Sequence, residues 1–303
     1  MEAFEFIVVI ICGFGIGTLS GMFGIGGGGM IVPLLYIAFN VPIVAATSTS
    51  LFTIAPTGIS GSIKHFRQKT VSLKTGALIG GFGAIASVGG SLAAGHLHPY
   101  FTIILTSTVI LFSVGMMLRT LLKDKTLGRK EVAASSATLS DELELTARIT
   151  AAAENATAET IVAKADTIAA KTDKTAAPKK DSLPLLYPLV IGLIAGVIAG
   201  IVGVGGGFII VPFCVAYLGF SLKKAAGTSL VAISLIAIPG IISHALLGHI
   251  EWFYGFAIIL GTIPGAQLGS WLIARLPERP MRFAFAGLLT LIGLSMIAQE
   301  FLL

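Results

Sequence analysis

The sequence predicts an all-α polytopic membrane protein with about ten hydrophobic segments, arranged as two inverted-topology repeats of five. Three observations predict this fold. Of the 303 residues, 55% are hydrophobic and only 12% are charged, about half the charged share of a soluble domain. Several stretches hold no charged residue over about 18 positions, the length of helix that crosses a bilayer. These stretches are Ala77–Ala94, Phe101–Leu118, Leu183–Val202 and Phe253–Ala274. The third observation is an internal duplication.

The duplication is clearest in a glycine-rich stretch that occurs as Gly24–Pro33 and again as Gly203–Pro212, displaced by 179 residues (212 − 33). The same displacement, without a gap, matches many other residues of the two halves. It matches Gly13, Gly17 and Gly21 to Gly192, Gly196 and Gly200, Thr49-Ser50-Leu51 to Thr228-Ser229-Leu230, His65 to His244, and Gly90-Ser91 to Gly269-Ser270. Chance does not keep register over such a length, so the chain is an internal repeat.

The first half is predicted to contain five elements. Residues 6–22 form a span in which three glycines at a four-residue spacing let a neighbouring helix approach closely. The glycine run 24–29 interrupts this helix. The apolar piece 30–39 rises only about 15 Å as a helix, half of a bilayer core of about 30 Å. Residues 24–39 therefore cross only as a glycine-broken half-helix. Spans at about 43–63, 75–95 and 100–118 complete the half.

The second half repeats these elements after a polar linker. Its predicted elements lie at about 184–202, 204–219 (broken), 227–247, 253–274 and 283–302. We expect three parts: a first transmembrane repeat (1–122), a cytoplasmic linker (123–182) and a second transmembrane repeat (183–303). The linker is rich in alanine and threonine, and its apolar residues are too sparse for a core. It is expected to be solvated and partly helical, with a regulatory or partner-binding insert as the alternative.

The distribution of basic residues predicts how the repeats are oriented. Basic loops mark the cytoplasmic side of a membrane, and each matched pair of loops has opposite charge character. Loop 64–74 is basic where 243–253 is not, whereas 219–225 and 275–282 are basic where 40–46 and 96–99 are not. Matched loops are therefore expected on opposite sides, which requires the broken elements to cross. This topology predicts both termini outside and the linker inside.

Inverted repeats with broken helices in matching positions are typical of secondary transporters with a site near the bilayer midplane. Successive glycine N–H groups that lead into a helix N-terminus favour an anion. The candidate backbone donors are Gly26, Gly27 and Gly28 in the first half and Gly205, Gly206 and Gly207 in the second. The alternative is that these glycines only permit close helix packing.

Polar side chains in the spans supply further substrate-binding candidates. These are the hydroxyls of Thr49, Ser50, Thr228 and Ser229, the imidazoles of His65 and His244, and the amide of Gln267. We expect the hydroxyls either to donate to an anion or to bond a carbonyl of their own helix. We expect the histidines either to gate the pathway or carry a proton, or simply to cap a helix end. No charged side chain lies mid-span, so the usual buried carboxylate relay is absent. This pattern favours a small anion with several oxygens, held by neutral donors.

Other classes of function find no support in the sequence. No Gly-x-Ser-x-Gly elbow, Walker motif or metal-ligand spacing of cysteine and histidine is present, so we expect no enzyme, no metal and no cofactor. The net charge of +5 reflects short cytoplasmic loops rather than a nucleic-acid surface. The expected partners are a small oxyanion and the lipid bilayer, with protons or another coupling ion left open.

The duplicated order of motifs resembles the TauE/SafE sulfite-exporter family of permeases. In each half Gly-x-Gly-Gly-Gly is followed by a proline, then by Thr-Ser-Leu, then by a histidine at the end of that span. The resemblance covers residues 6–118 and 184–302 and excludes the linker. It implies that the substrate is a small sulfur oxyanion, sulfite or an organosulfonate such as sulfoacetate. It also implies transport, mostly export, across a prokaryotic cytoplasmic (inner) membrane. An alternating-access carrier is the expected mechanism, an anion channel with the same site is the alternative, and a membrane anchor whose linker binds a partner is a third hypothesis.

Overall fold

The computed structural model describes residues 3–94, 108–109, 111–120, 185–203 and 205–302, and these residues form helices without any strand. The all-α fold predicted from the sequence is confirmed, with five helices in each half. They are α1 (Ala3–Phe23), α2 (Gly28–Pro33, followed by a π-helical turn, Leu34–Ala38), α3 (Ile43–Arg67), α4 (Leu73–Ala94), α5 (Leu111–Thr120), α6 (Leu186–Val202), α7 (Gly207–Tyr217), α8 (Leu222–Leu246), α9 (Trp252–Arg275) and α10 (Glu278–Leu302).

The lengths of the helices fit a membrane protein. Four of them, α1, α3, α8 and α9, are long and apolar enough to cross a bilayer. Gly28–Ala38 and Gly207–Tyr217 are short apolar helices, and each follows a glycine run, as expected of the broken elements. The beginning of the predicted span 100–118 and the linker 123–182 lie outside the described residues, so the division into three parts stays a prediction.

The two halves pack against each other through their glycines. Glycines of α1 contact the backbone of α9, and glycines of α6 contact the backbone of α4. The pairs are Gly13 with Ile258, Gly17 with Thr262 and Gly21 with Ala266, then Gly192 with Ile79, Gly196 with Gly83 and Gly200 with Ser87. In both sets a step of four residues on one helix matches a step of four on the other. Each pair of helices therefore runs parallel, at a separation that only glycine permits.

The matched helices α3 and α8 lie at the centre of this arrangement and run antiparallel. Gly240 of α8 lies against Leu51 near the start of α3, whereas Gly61 near the end of α3 lies against Leu230. Helix α3 in turn runs parallel to α9, since Gly255 lies beside Phe52 and Ser60 bonds the carbonyl of Ile263.

The broken element returns the chain to the level at which α1 begins. Val9 of α1 and Leu35 after α2 belong to one buried cluster with Ala46 of α3 and Ile258 of α9. Helices α1 and α3 consequently run in the same direction, and the short element between them runs back. The described residues of both halves belong to one compact unit.

Candidate functional site

The glycine runs form two buried loops whose backbone requires glycine. We name residues 24–29 the first glycine loop and residues 203–207 the second, of which Val204 is not described. Three residues of each loop have left-handed φ angles: Gly24 (73°), Gly26 (80°), Gly27 (78°), Gly203 (72°), Gly205 (81°) and Gly206 (70°). This region is unfavourable for residues with a Cβ. Close helix packing alone does not explain three such residues in each loop.

Several backbone amides of the folded loops have no acceptor in the described part of the chain. In the first loop Gly24 N donates to Ser20 O (2.7 Å), and the next amide bonds are those of Met30 N and Ile31 N to Gly27 O (both 3.0 Å). Among the described residues no acceptor faces the amides of Gly26, Gly27 and Gly28. Buried amides require a partner, and successive free amides of this kind form an anion-binding concavity.

The second loop repeats this hydrogen bonding. Gly203 N donates to Ala199 O (2.8 Å), and Ile209 N and Ile210 N donate to Gly206 O (3.0 and 3.1 Å). Within the described part of the chain the amides of Gly205, Gly206 and Gly207 likewise have no acceptor. All six candidate glycines are buried, so both sets of donors are shielded from bulk solvent.

The two loops meet between the middles of α3 and α8. A Cβ built on Gly26 would lie 3.3 Å from Ile54 Cγ2 and 2.6 Å from Ile233 Cδ1, and one built on Gly205 would lie 2.9 Å from Ile54 Cδ1. A Cβ on Gly207 would lie 2.6 Å from the carbonyl oxygen of Gly24 in the other loop. The sequence-predicted backbone donors of the two halves are thus brought together.

A small, mostly apolar cleft opens against the loops. Ile25, Gly29 and Phe208 line one side, and Leu289 and Ile292 of α10 line the other. It has room for about a single water molecule. This space is too small for an anion of several non-hydrogen atoms.

The four predicted hydroxyls are buried, but they have different partners. Thr49 Oγ1 accepts a hydrogen bond from Glu251 N, and Thr228 Oγ1 accepts one from Ser72 N, both at 3.0 Å. Glu251 and Ser72 stand at the starts of α9 and α4, so each threonine caps a helix of the opposite half. Ser229 donates to Gly24 O (2.8 Å) and supports the first glycine loop. Ser50 Oγ is buried and meets no partner among the described residues.

The predicted histidines occupy different environments despite their matched positions. His65 is fully buried; its Nε2 donates to Gly21 O (3.1 Å), and its Nδ1 lies 2.8 Å from Thr70 Oγ1. His244 is half-buried, with its Nδ1 3.4 Å from the Nδ1 of His249. His65 therefore joins the ends of α1 and α3, whereas His244 lies at the surface end of α8.

Two residues show the limits of sequence reasoning about the site. Gln267 is exposed on α9, so the structure does not bring its amide into the buried centre. Ser20, which sequence reasoning missed, is fully buried beside Gly27, and its hydroxyl has no partner in the described protein. A polar residue one turn before a glycine run in an otherwise apolar span is the signal that points to it.

No group of three or more potential metal ligands occurs among the described residues.

A polytopic bundle of apolar helices around two buried amide-rich loops defines the class of multi-pass membrane transporters. The family model of the TauE/SafE sulfite exporters matches residues 9–296, and the chain belongs to this family. It is thus a transporter rather than an enzyme.

Similar proteins of bacteria carry names of the same kind. The chain is 26% identical to the probable membrane transporter protein YunE of Bacillus subtilis over 302 residues, covering 97% of this chain and 98% of the relative. It is 24% identical over 292 residues to the probable membrane transporter protein YdhB of the same organism, covering 94% and 99%. A search of solved structures found no match.

Proposed function

We propose that the protein carries a small sulfur-containing anion, sulfite or an organosulfonate such as sulfoacetate, by alternating access in the direction of export. The observation that carries the proposal is that two buried glycine loops meet midway along α3 and α8, and that their amides have no acceptor among the described residues. The family description, sulfite exporter, supports the chemical class of the substrate. The six loop glycines and Ser50 are the proposed ligands.

The chemistry of the loops suits an oxyanion with several acceptor oxygens. Each oxygen of a sulfite or sulfonate group accepts more than one hydrogen bond, and charge-assisted bonds are stronger than neutral ones. In the described core the buried polar side chains are serine, threonine and one histidine, with no carboxylate, ammonium or guanidinium group. A site of neutral donors binds an anion without the affinity of a buried ion pair, which allows release on the far side.

The inverted topology is part of the proposal, and helix directions support it. Because α3 and α8 are repeat counterparts, their antiparallel course means that the two halves point in opposite directions. Contacts also bring basic loops to one end: Lys223 Nζ donates to Ala274 O at the end of α9 (3.0 Å), and Gly227 lies against Thr70 O after α3. The positive-inside rule makes this end cytoplasmic. The starts of α1, α3 and α9 then face outside.

A carrier explains the closed centre better than a channel does. The cleft at the loops admits about one water molecule, so an anion needs a rearrangement of the halves to enter and leave. Export of an anion from a negative interior releases about 2.3 kcal/mol per charge per 100 mV. The membrane potential is therefore sufficient to drive export, and the mechanism needs no buried carboxylate relay.

Transport in proteoliposomes tests the proposal. Wild-type protein should show saturable flux of radiolabelled sulfite or sulfoacetate, and unlabelled anion on the other side should accelerate that flux. Gly27→Ala should reduce transport at least about tenfold, because a left-handed residue with a Cβ displaces the loop amides. Gly219→Ala is the matched control, since Gly219 has a similar φ angle (64°) and nothing within 4 Å of its Cβ position. That variant should retain transport.

Each part of the proposal has its own contrary result. Wild-type protein without saturable flux of either anion would refute the substrate class. Flux without acceleration by the opposing anion would indicate a channel. Equal loss of transport in Gly27→Ala and Gly219→Ala would reduce the first glycine loop to a structural turn.

A further inference from the structure

Ser20 lies at the first glycine loop, and the proposed function does not use it. It stands on the last turn of α1, and its side chain is fully buried. Its carbonyl accepts the bond from Gly24 N that starts the loop. Its Cβ lies 3.7 Å from the position that a Cβ on Gly27 would occupy. The side chain therefore lies beside Gly27, the residue that precedes α2.

The hydroxyl of Ser20 is unusual for a serine in an apolar helix. Such hydroxyls normally bond the carbonyl one turn back, as Ser270 does to Ala266 O (2.7 Å) and Ser234 does to Leu230 O (2.7 Å). Ser20 Oγ has no partner among the described residues. A buried polar group without a partner costs free energy, so its persistence beside a run of free amides requires an explanation.

The repeat shows that packing does not demand this serine. The counterpart of Ser20 is Ala199, which is equally buried at 2% exposure. Ala199 also accepts the equivalent bond, from Gly203 N. The two positions share this backbone bond and are both buried, but only Ser20 carries a hydroxyl.

We infer that Ser20 is a further substrate-binding residue, whose hydroxyl donates to an oxygen of the anion held by the amides of the first glycine loop. The inference rests on the proposed function and deepens it. It makes the site asymmetric, with one more donor at the first loop than at the second. An oxyanion with at least two acceptor oxygens, such as a sulfite or sulfonate group, would engage both the amides and the hydroxyl.

Thermal unfolding of purified protein at rising sulfite or sulfoacetate concentration tests the inference, with chloride at equal ionic strength as reference. Anion binding should raise the unfolding temperature of the wild type. In Ser20→Ala the half-saturating anion concentration should rise about tenfold or more, the loss expected for a hydrogen bond to a charged group. Without anion, Ser20→Ala should unfold at the wild-type temperature or above, because an unpaired buried hydroxyl has been removed. Proteoliposome transport should show the same rise in KM.

Ser87→Ala is the matched control. Ser87 is also a buried helical serine, but its hydroxyl bonds the carbonyls of Ala84 and Ile236. The half-saturating anion concentration of Ser87→Ala should stay at the wild-type value. If the wild type responds to the anion and Ser20→Ala responds equally, the inference is wrong but the proposed function stands. A lower unfolding temperature of Ser20→Ala with unchanged anion dependence would also overturn the inference, because it indicates a purely structural role. A wild type that responds to neither anion would overturn the proposed function and the inference with it.

Discussion

The two halves of the molecule share the same arrangement of helices and glycine loops, but they differ in some of their polar side chains. Both glycine loops have the same left-handed backbone. Thr49 caps α9 and Thr228 caps its counterpart α4, each in the opposite half, and the α1–α9 contacts are repeated by α6 and α4. Residues that recur after 179 positions therefore build the scaffold and the loops.

Several polar residues of the first half differ from their second-half counterparts in identity or in environment. Ser20 corresponds to Ala199, and Thr57, which donates to Thr262 Oγ1 (2.7 Å), corresponds to Ile236. His65 is buried between two partners, whereas its counterpart His244 is half-buried. In the proposed function, the duplicated residues locate the site between the two halves. The residues that differ between the halves make the site asymmetric, as suits an anion whose two ends differ.

We expect the largest loss of stability from substitutions at the glycine contacts that both halves share. A Cβ on Gly21 would meet Ala266 O, and one on Gly200 would meet Ser87 O, both closer than any real contact. Gly21→Val and Gly200→Val should each lower the free energy of unfolding by about 3 kcal/mol or more, because the backbones must separate. Thermal unfolding in detergent measures this loss.

Gly15→Val is the control for these two variants. Gly15 lies on α1 as well, but nothing lies within 4 Å of its Cβ position, so stability should change little. A large loss at Gly21 with tolerance at Gly200 would show that the two halves do not share their packing.

Hydropathy and the internal repeat predicted the helices and the broken elements, because apolar segments, charges and repeats can be read directly from the sequence. The broken elements were predicted at 24–39 and 204–219, and the short helices Gly28–Ala38 and Gly207–Tyr217 lie within those bounds. The glycine loops were predicted to hold free amides, and the structure leaves them without described acceptors.

The partners of individual side chains could not be predicted in the same way. Thr49 and Thr228 bond amides 202 and 156 residues away in sequence, and such pairings depend on how the halves dock. Gln267 was proposed as a ligand because it is an isolated amide, yet the rotation of α9 leaves it exposed. The counterpart of Ser20 is an alanine, so a search for matched polar residues passes over it.

A second prediction compares the matched histidines. His65→Ala removes hydrogen bonds to Gly21 O and Thr70 Oγ1 and leaves a cavity, so the free energy of unfolding should fall by about 2–4 kcal/mol. His244→Ala removes a half-buried ring and should cost at most about 0.5 kcal/mol. Thermal unfolding of both variants under one condition checks the difference. Equal losses would mean that the buried hydrogen bonds of His65 contribute nothing to stability.

The smallest expected effect tests whether both loops hold the same anion. In the double variant Ser20→Ala with Ala199→Ser, the hydroxyl is transferred to the position beside the second loop. If the two loops bracket one anion, the transferred hydroxyl meets another of its oxygens, and the KM for sulfite should recover about threefold relative to Ser20→Ala. This is only part of the loss, because a hydrogen bond whose geometry is not optimised is weaker. Initial rates of proteoliposome flux measure it, with Ala199→Ser alone as the control for folding. A double variant no better than Ser20→Ala would place the anion on the first loop alone, and the second loop would then be a structural copy of a site that only one half uses.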